Sequence, residues 1–230
     1  MPESWKKALN SYSYPVNLED YKKAALFPSF FSEKIKGDRQ STINFENYFR
    51  ELAPECIEVY FEVVFWKLYS QAHIKQSSTT RIVDSVLNEE IIAEDIWNVV
   101  QNFVRNQNRK NLGKIRDKLG ITTRVLAVPL TFPAFADPER IPMIDNKVAS
   151  WVNLNAEDHN RNRKDKLTLF KKNYTSLQEN DFPNYLNWVS WCQEMAQVLT
   201  EMNEEKWRAR DVEMAVFTAQ REGINLNVIP

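Results

Sequence analysis

From Val125 to Ala136 the chain reads VLAVPLTFPAFA, with no charged residue. Such a run can hide only in an interior, because leaving it in water forfeits its whole hydrophobic contribution. It is far short of the roughly 20 apolar residues that span a bilayer. Punctuation bounds it on both sides. Gly120-Ile-Thr-Thr123 predicts a tight turn with a threonine suited to capping the helix that follows. Pro142-Met-Ile-Asp145 predicts an extended X-Pro step and then an aspartate, ahead of Lys147, Val148, Trp151 and Val152 at helical spacing. Residues 119–152 therefore read as turn, buried helix, proline-rich loop, aspartate and helix, with the rest of the chain built around them.

Four glycines in 230 residues, and no lasting alternation of apolar and polar positions, predict an all-α protein. The length suits one domain or two closely packed lobes. We expect a two-lobed arrangement: an N-terminal arm and helix (1–54) packing with a C-terminal lobe (153–230), and a central helical lobe (55–152). A net charge of −1 excludes a strongly basic nucleic-acid coat but leaves room for a local basic face. Cys56 and Cys192 lie in helical patterns without partner spacing, so reduced core thiols and an intracellular home are expected, the cytoplasm or, in a eukaryote, the nucleus. The N-terminus lacks the apolar segment of an export signal, and no membrane association is expected. A monomer is the simplest expectation for assembly.

In chain order, residues 1–42 read as an aromatic arm with a short helix over about 18–26 and a Phe27–Phe31 plug. Phe45, Tyr48, Phe49 and Leu52 share a helical face. Pro54 then suits the first turn of a second helix, apolar nearly all round and so central. On that helix Glu58 and Glu62 share a face at i,i+4 and read as solvated, since no His or Cys nearby completes a metal site. After a polar linker, Thr79 or Thr80 caps a helix through Leu87. Asn88 caps another from about Glu89 to Arg105. Arg105, Arg109, Lys110, Lys114, Arg116 and Lys118 then lead into Gly120. Residues 153–173 read as a basic surface loop, 182–202 as a helix with an aromatic stripe, and 204–221 as a last helix stopped by Gly223.

The turn, the buried run and the aspartate together resemble the signature of the helix-hairpin-helix DNA glycosylases. Gly120, Ile121 and Thr122 stand at the hairpin that seats DNA phosphates, with Thr122 in place of the second glycine. Asp145 stands at the catalytic aspartate, and Arg124 at the position that is lysine in the bifunctional members. Leu68-Tyr-Ser-Gln71 echoes a step near the nucleotide-binding cleft. The resemblance implies a divergent member with a two-lobed glycosylase-like fold that removes a damaged, purine-type base from duplex DNA. Lyase chemistry through an imine is not expected, because the guanidinium of Arg124 cannot supply the amine. Neither the iron–sulfur cluster nor any other cofactor or metal is expected. On this reading Asp145 is catalytic, and Gly120, Ile121, Thr122, Thr123, Arg109, Lys110 and Lys114 bind the DNA backbone. Trp66, Tyr69, Gln71, Phe132 and Phe135 would line the base pocket. The alternative is a protein with the same fold that has lost catalysis and serves as a DNA-binding or scaffold protein.

Overall fold

The computed structural model describes residues 3–15, 37–69, 76–161, 163–171, 177–203 and 205–229. Ten α-helices carry the described chain: α1 (Glu3–Asn10), α2 (Arg39–Leu52), α3 (Glu58–Tyr69), α4 (Gln76–Asn88), α5 (Ala93–Arg105), α6 (Arg109–Lys118), α7 (Ala127–Ala136), α8 (Asn146–His159), α9 (Phe182–Asn203) and α10 (Ala209–Glu222). A 3₁₀ turn at Glu179–Asp181 precedes α9. Among the described residues there is no β-strand, only two isolated bridges, Ser13 with Asp38 and Val125 with Gln178. The expected 18–26 helix, the Phe27–Phe31 plug, Ser70 and Gln71 lie outside the described residues, as does the side chain of Tyr69.

The helices divide into two compact units. The first comprises residues 1–12, 125–130 and 137–230; the second comprises 13–124 and 131–136. The division departs from the expected one. Residues 13–54 cluster with 55–124, whereas 137–152 join the C-terminal segment. The apolar run does form a buried helix, α7, and the division of the two units falls within it. Pro133 inside this helix has no N–H to donate to the Pro129 carbonyl, a gap that a ten-residue buried helix tolerates.

In the first unit α10 is the hub, packing against α1, α8 and α9. Ten of its fourteen residues are buried, Arg210, Asp211 and Glu213 among them. Those charges are held locally. Arg208 donates from Nε to Asp211 Oδ2 at 2.9 Å and from Nη2 to Oδ1 at 3.1 Å, and Arg210 meets Glu213 one turn on. A cluster of Trp5, Trp151, Trp188, Trp191 and His159 fills the interior, with neighbouring ring centroids 4.9–6.3 Å apart. A buried indole N–H usually finds an acceptor, although that of Trp191 has none among the described residues. Trp5 finds the Asn227 carbonyl and Trp188 the Met143 carbonyl, both at 2.9 Å.

In the second unit α2, α3 and the end of α7 supply an aromatic core. Phe45, Phe49, Tyr60, Trp66, Phe132 and Phe135 meet mostly edge to face, at 5.1–6.5 Å. The Tyr60 hydroxyl donates to the Ala53 carbonyl at 2.9 Å, and Trp66 Nε1 donates to the Tyr14 hydroxyl at 2.7 Å. The near-continuous apolarity of α3 leads this core to close over Glu62 as well. Glu62 is buried rather than solvated, and it accepts from the Tyr48 hydroxyl, whose pKa is pushed up to about 12 by burial first and by this carboxylate second.

Several boundaries differ from the sequence reading. The helix expected from Glu55 begins at Glu58, and Cys56 lies in the connection before it, its thiol donating to Glu58 Oε2 at 3.2 Å. Asn88 ends α4 instead of capping α5. Glu90 turns the chain with φ 50, and α5 starts at Ala93 without a side-chain cap. The first third of the expected surface loop from 153 is helix, since α8 continues to His159. The irregular segment after it is tied down by two asparagines. Asn153 brackets the backbone of Phe170, and Asn160 that of Leu167, at 2.7–3.1 Å.

Candidate nucleic-acid interface

Helices α5 and α6 of the second unit pack against each other, joined by Asn106, Gln107 and Asn108. The connection forms locally. Asn108 caps α6 by accepting from Asn111 N–H at 2.9 Å, and the Asn111 amide donates to the Asn106 carbonyl at 2.9 Å. Around it Arg105, Arg109 and Lys110 are exposed, and no carboxylate among the described residues lies within ion-pair distance of them. Towards the other end of α6 the character changes. Lys118 is paired with Asp95 at 3.0 Å, and Lys114 borders a cavity of about 470 Å³ walled by Glu89, Glu90, Asp95 and Asp117. The basic series is thus a positive corner followed by a mixed-charge flank.

Helix α6 ends in the turn that the sequence marked. Gly120 has φ 59; its N–H donates to the Asp117 carbonyl at 3.2 Å, and the N–H of Ile121 reaches back to the Arg116 carbonyl at 2.9 Å. This is a Schellman cap, with Ile121 buried as its apolar partner. A Cβ on residue 120 would lie 1.9 Å from Ser85 Oγ. Glycine is required here by the cap and by the close approach of α4. Beyond it Thr122, Thr123 and Arg124 are exposed, and Thr122 and Thr123 make no hydrogen bond among the described residues. The fold therefore brings Gly120, Ile121, Thr122, Thr123, Arg109, Lys110, Lys114 and Arg124 onto one helix and its following turn.

Asp145 belongs to the first unit. It caps α8 in extended backbone (φ −145), and its Oδ1 accepts from Val148 N–H at 2.9 Å. The preceding residues, Ile141 to Ile144, are buried, while Asp145 itself is half-buried. Pro142 and Met143 are pinned through their carbonyls by Tyr185 and Trp188, at 3.1 and 2.9 Å. The carboxylate thus sits on a rigid platform with one oxygen engaged by the helix.

The base-pocket residues fare differently. Trp66, Phe132 and Phe135 are at most 5 % exposed, and their ring faces are covered by one another and by Phe45, Phe49 and Tyr60. They are core, and no base could stack on them without dismantling it.

The sequence reading also passed over a signal. Residues 96–116 contain no carboxylate, although Asp and Glu make up 31 of the 230 residues. This span holds five cations and seven side-chain amides, of which Asn98, Asn102 and Asn106 are exposed. Counting acids in a sliding window would have found it. Among the described residues no three His, Cys, Asp or Glu side chains are placed to hold a metal ion, and no helix is long and apolar enough to cross a membrane.

Comparison with protein-family models, with curated proteins and with solved structures finds no match to this chain.

Proposed function

We propose that this protein binds the phosphate backbone of duplex DNA through the α5–α6 corner and the turn after α6. The observation that carries the reading is the corner itself: Arg105, Arg109 and Lys110 stand exposed without carboxylate partners among the described residues, inside a span of 21 residues that has no acid of its own. Cations left unneutralised on a chain of net charge −1 create a local field for a polyanion, and phosphates that they contact release condensed counterions. The unused amides of Thr122 and Thr123 add donors of the kind that grip phosphate oxygens. Fluorescence anisotropy on a labelled duplex, followed from 50 to 200 mM salt, tests this. Replacing Arg105, Arg109 and Lys110 by glutamine should flatten the slope of log K against log salt by roughly 1 for each cation removed. A slope unchanged in the triple variant would overturn the reading.

Base release by Asp145 is a second reading, favoured by the platform around that residue. A carboxylate held by one oxygen at a helix N-terminus, behind buried apolar residues, offers its other oxygen to a developing oxocarbenium. On this reading a lesion-bearing duplex loses a damaged purine and keeps an intact abasic strand, and Asp145→Asn stops release while leaving binding in place, because the amide carries no charge. Full release by the Asn variant would remove Asp145 from the chemistry.

A further inference from the structure

The outward face of α5 carries side chains for which the fold has no use. Asn98, Asn102 and Arg105 follow one another at i, i+4 and i+7, so they form one exposed row along the helix. The opposite face, Ala93, Ile96, Val100, Phe103 and Val104, is buried and holds α5 in place. Neither the Asn98 nor the Asn102 side chain makes a hydrogen bond among the described residues, and Arg105 has no ion-pair partner there. Asparagine is among the poorer helix formers. Two in the middle of one exposed helical face, without partners, are not explained by stability.

Their chemistry matches base edges. An asparagine amide presents one donor and one acceptor, which pair with N7 and the N6 amino group of adenine. An arginine presents the fork that pairs with O6 and N7 of guanine. The row from Asn98 to Arg105 rises seven residues, about 10 Å, close to three steps of a 3.4 Å base stack. The major groove of B-form DNA is wide enough to admit a helix. Arg105 closes the row at its C-terminal end and is followed by Arg109 and Lys110, the cations that stay on the phosphates when Arg105 reaches a base. The N-terminal end carries Glu94 and Asp95, the latter already paired with Lys118. The charge gradient therefore orients α5, with its C-terminal half towards the duplex.

We infer that α5 is a base-reading helix: Asn98, Asn102 and Arg105 enter the major groove and give the protein a preference for a short purine-containing sequence. This rests on the duplex-binding reading and goes beyond it, since phosphate contacts alone carry no sequence information. Selection from a duplex library randomised over about ten base pairs tests it, with the full chain as bait. The expected result is an enriched motif of three or four base pairs containing adenine and guanine, bound at least tenfold more tightly than a scrambled duplex. Asn98→Ala combined with Asn102→Ala should erase that ratio while leaving scrambled-duplex affinity within about twofold and helicity unchanged. Arg105→Gln should lower both. An RNA duplex carrying the motif should not compete at the level of the motif DNA, because the A-form major groove is too deep and narrow to read. A bound pool as random as the input, or an unchanged motif in the double alanine variant, overturns the inference and leaves phosphate binding standing. Failure to bind any duplex removes both.

Discussion

At the scale of single residues, α8 carries two groups whose surroundings define their behaviour. Asp145 accepts from Val148 N–H as the N-cap. Asparagine caps equally well and alanine does not, so Asp145→Asn should leave the urea midpoint nearly unchanged while Asp145→Ala lowers stability by about 1 kcal/mol. This pair of variants separates capping from chemistry, because only chemistry distinguishes Asp from Asn. At the other end of α8, His159 is 4 % exposed among Trp5, Trp151 and Trp191, and it is hydrogen-bonded to the Leu226 backbone. Burial first, and Arg163 to a lesser degree, lower its pKa to about 4, against the opposing pull of the Leu226 bond and Asp158. The unfolded chain takes up this proton first as pH falls. The contribution of neutral His159 is therefore fully present above about pH 6.5 and is lost progressively down to pH 4. The shift corresponds to about 3 kcal/mol. Urea unfolding at pH 7 and pH 4.5 should show this loss, and His159→Gln should flatten the pH dependence over that window.

At the scale of elements, two helix ends look alike in sequence and differ in space. Gly120 ends α6 and Gly223 ends α10, both with positive φ, 59 and 69. A Cβ built on Gly223 would meet nothing within 4 Å, whereas one on Gly120 would strike Ser85. Gly223→Ala should cost roughly 1–2 kcal/mol, the strain of the left-handed conformation alone. Gly120→Ala adds the collision with α4 and should cost roughly 1–3 kcal/mol more. Thermal unfolding of Gly120→Ala in a Ser85→Gly background should recover the collision part and not the backbone part. Of the helices, α9 was legible because its apolar stripe repeats at helical spacing, and the body and end of α10 because Gly223 marks a stop, although α10 begins at Ala209 and not at 204. The start of α5 was not, because the chain turns at Glu90, a residue type with no turn preference to announce it.

At the scale of the whole molecule, the first unit is assembled from three separate stretches of chain. Helix α1 packs on α10, and Trp5 is fully buried against Trp151, Trp191 and His159. The final residues are tied to the same helix, with Asn227 N–H donating to Ser4 Oγ at 2.9 Å. The C-terminal segment therefore does not complete its own core. Trp5→Ala should destabilise by about 3–5 kcal/mol. A chain starting at residue 13 should lose the near-ultraviolet signal of the tryptophan cluster and regain it when a peptide of residues 1–14 is added.

Features that depend on neighbours a few residues away can be read from the amino-acid order alone. The charge-free run had to be buried, so α7 was legible. The Asp145 cap, the Gly120 turn and the Gly223 stop follow from backbone chemistry within one helical turn. Tertiary structure decided what depends on partners far along the chain. A helix apolar on every side, such as α3, does not say which side chains it will shut in, and the core closed over Glu62 instead of leaving it solvated. Trp66, Phe132 and Phe135 were pocket candidates for which core packing was the stronger expectation, and the arrival of α2 with Phe45 and Phe49 made them core. The α5–α6 corner stayed positive for the converse reason, because no carboxylate among the described residues comes within reach of it.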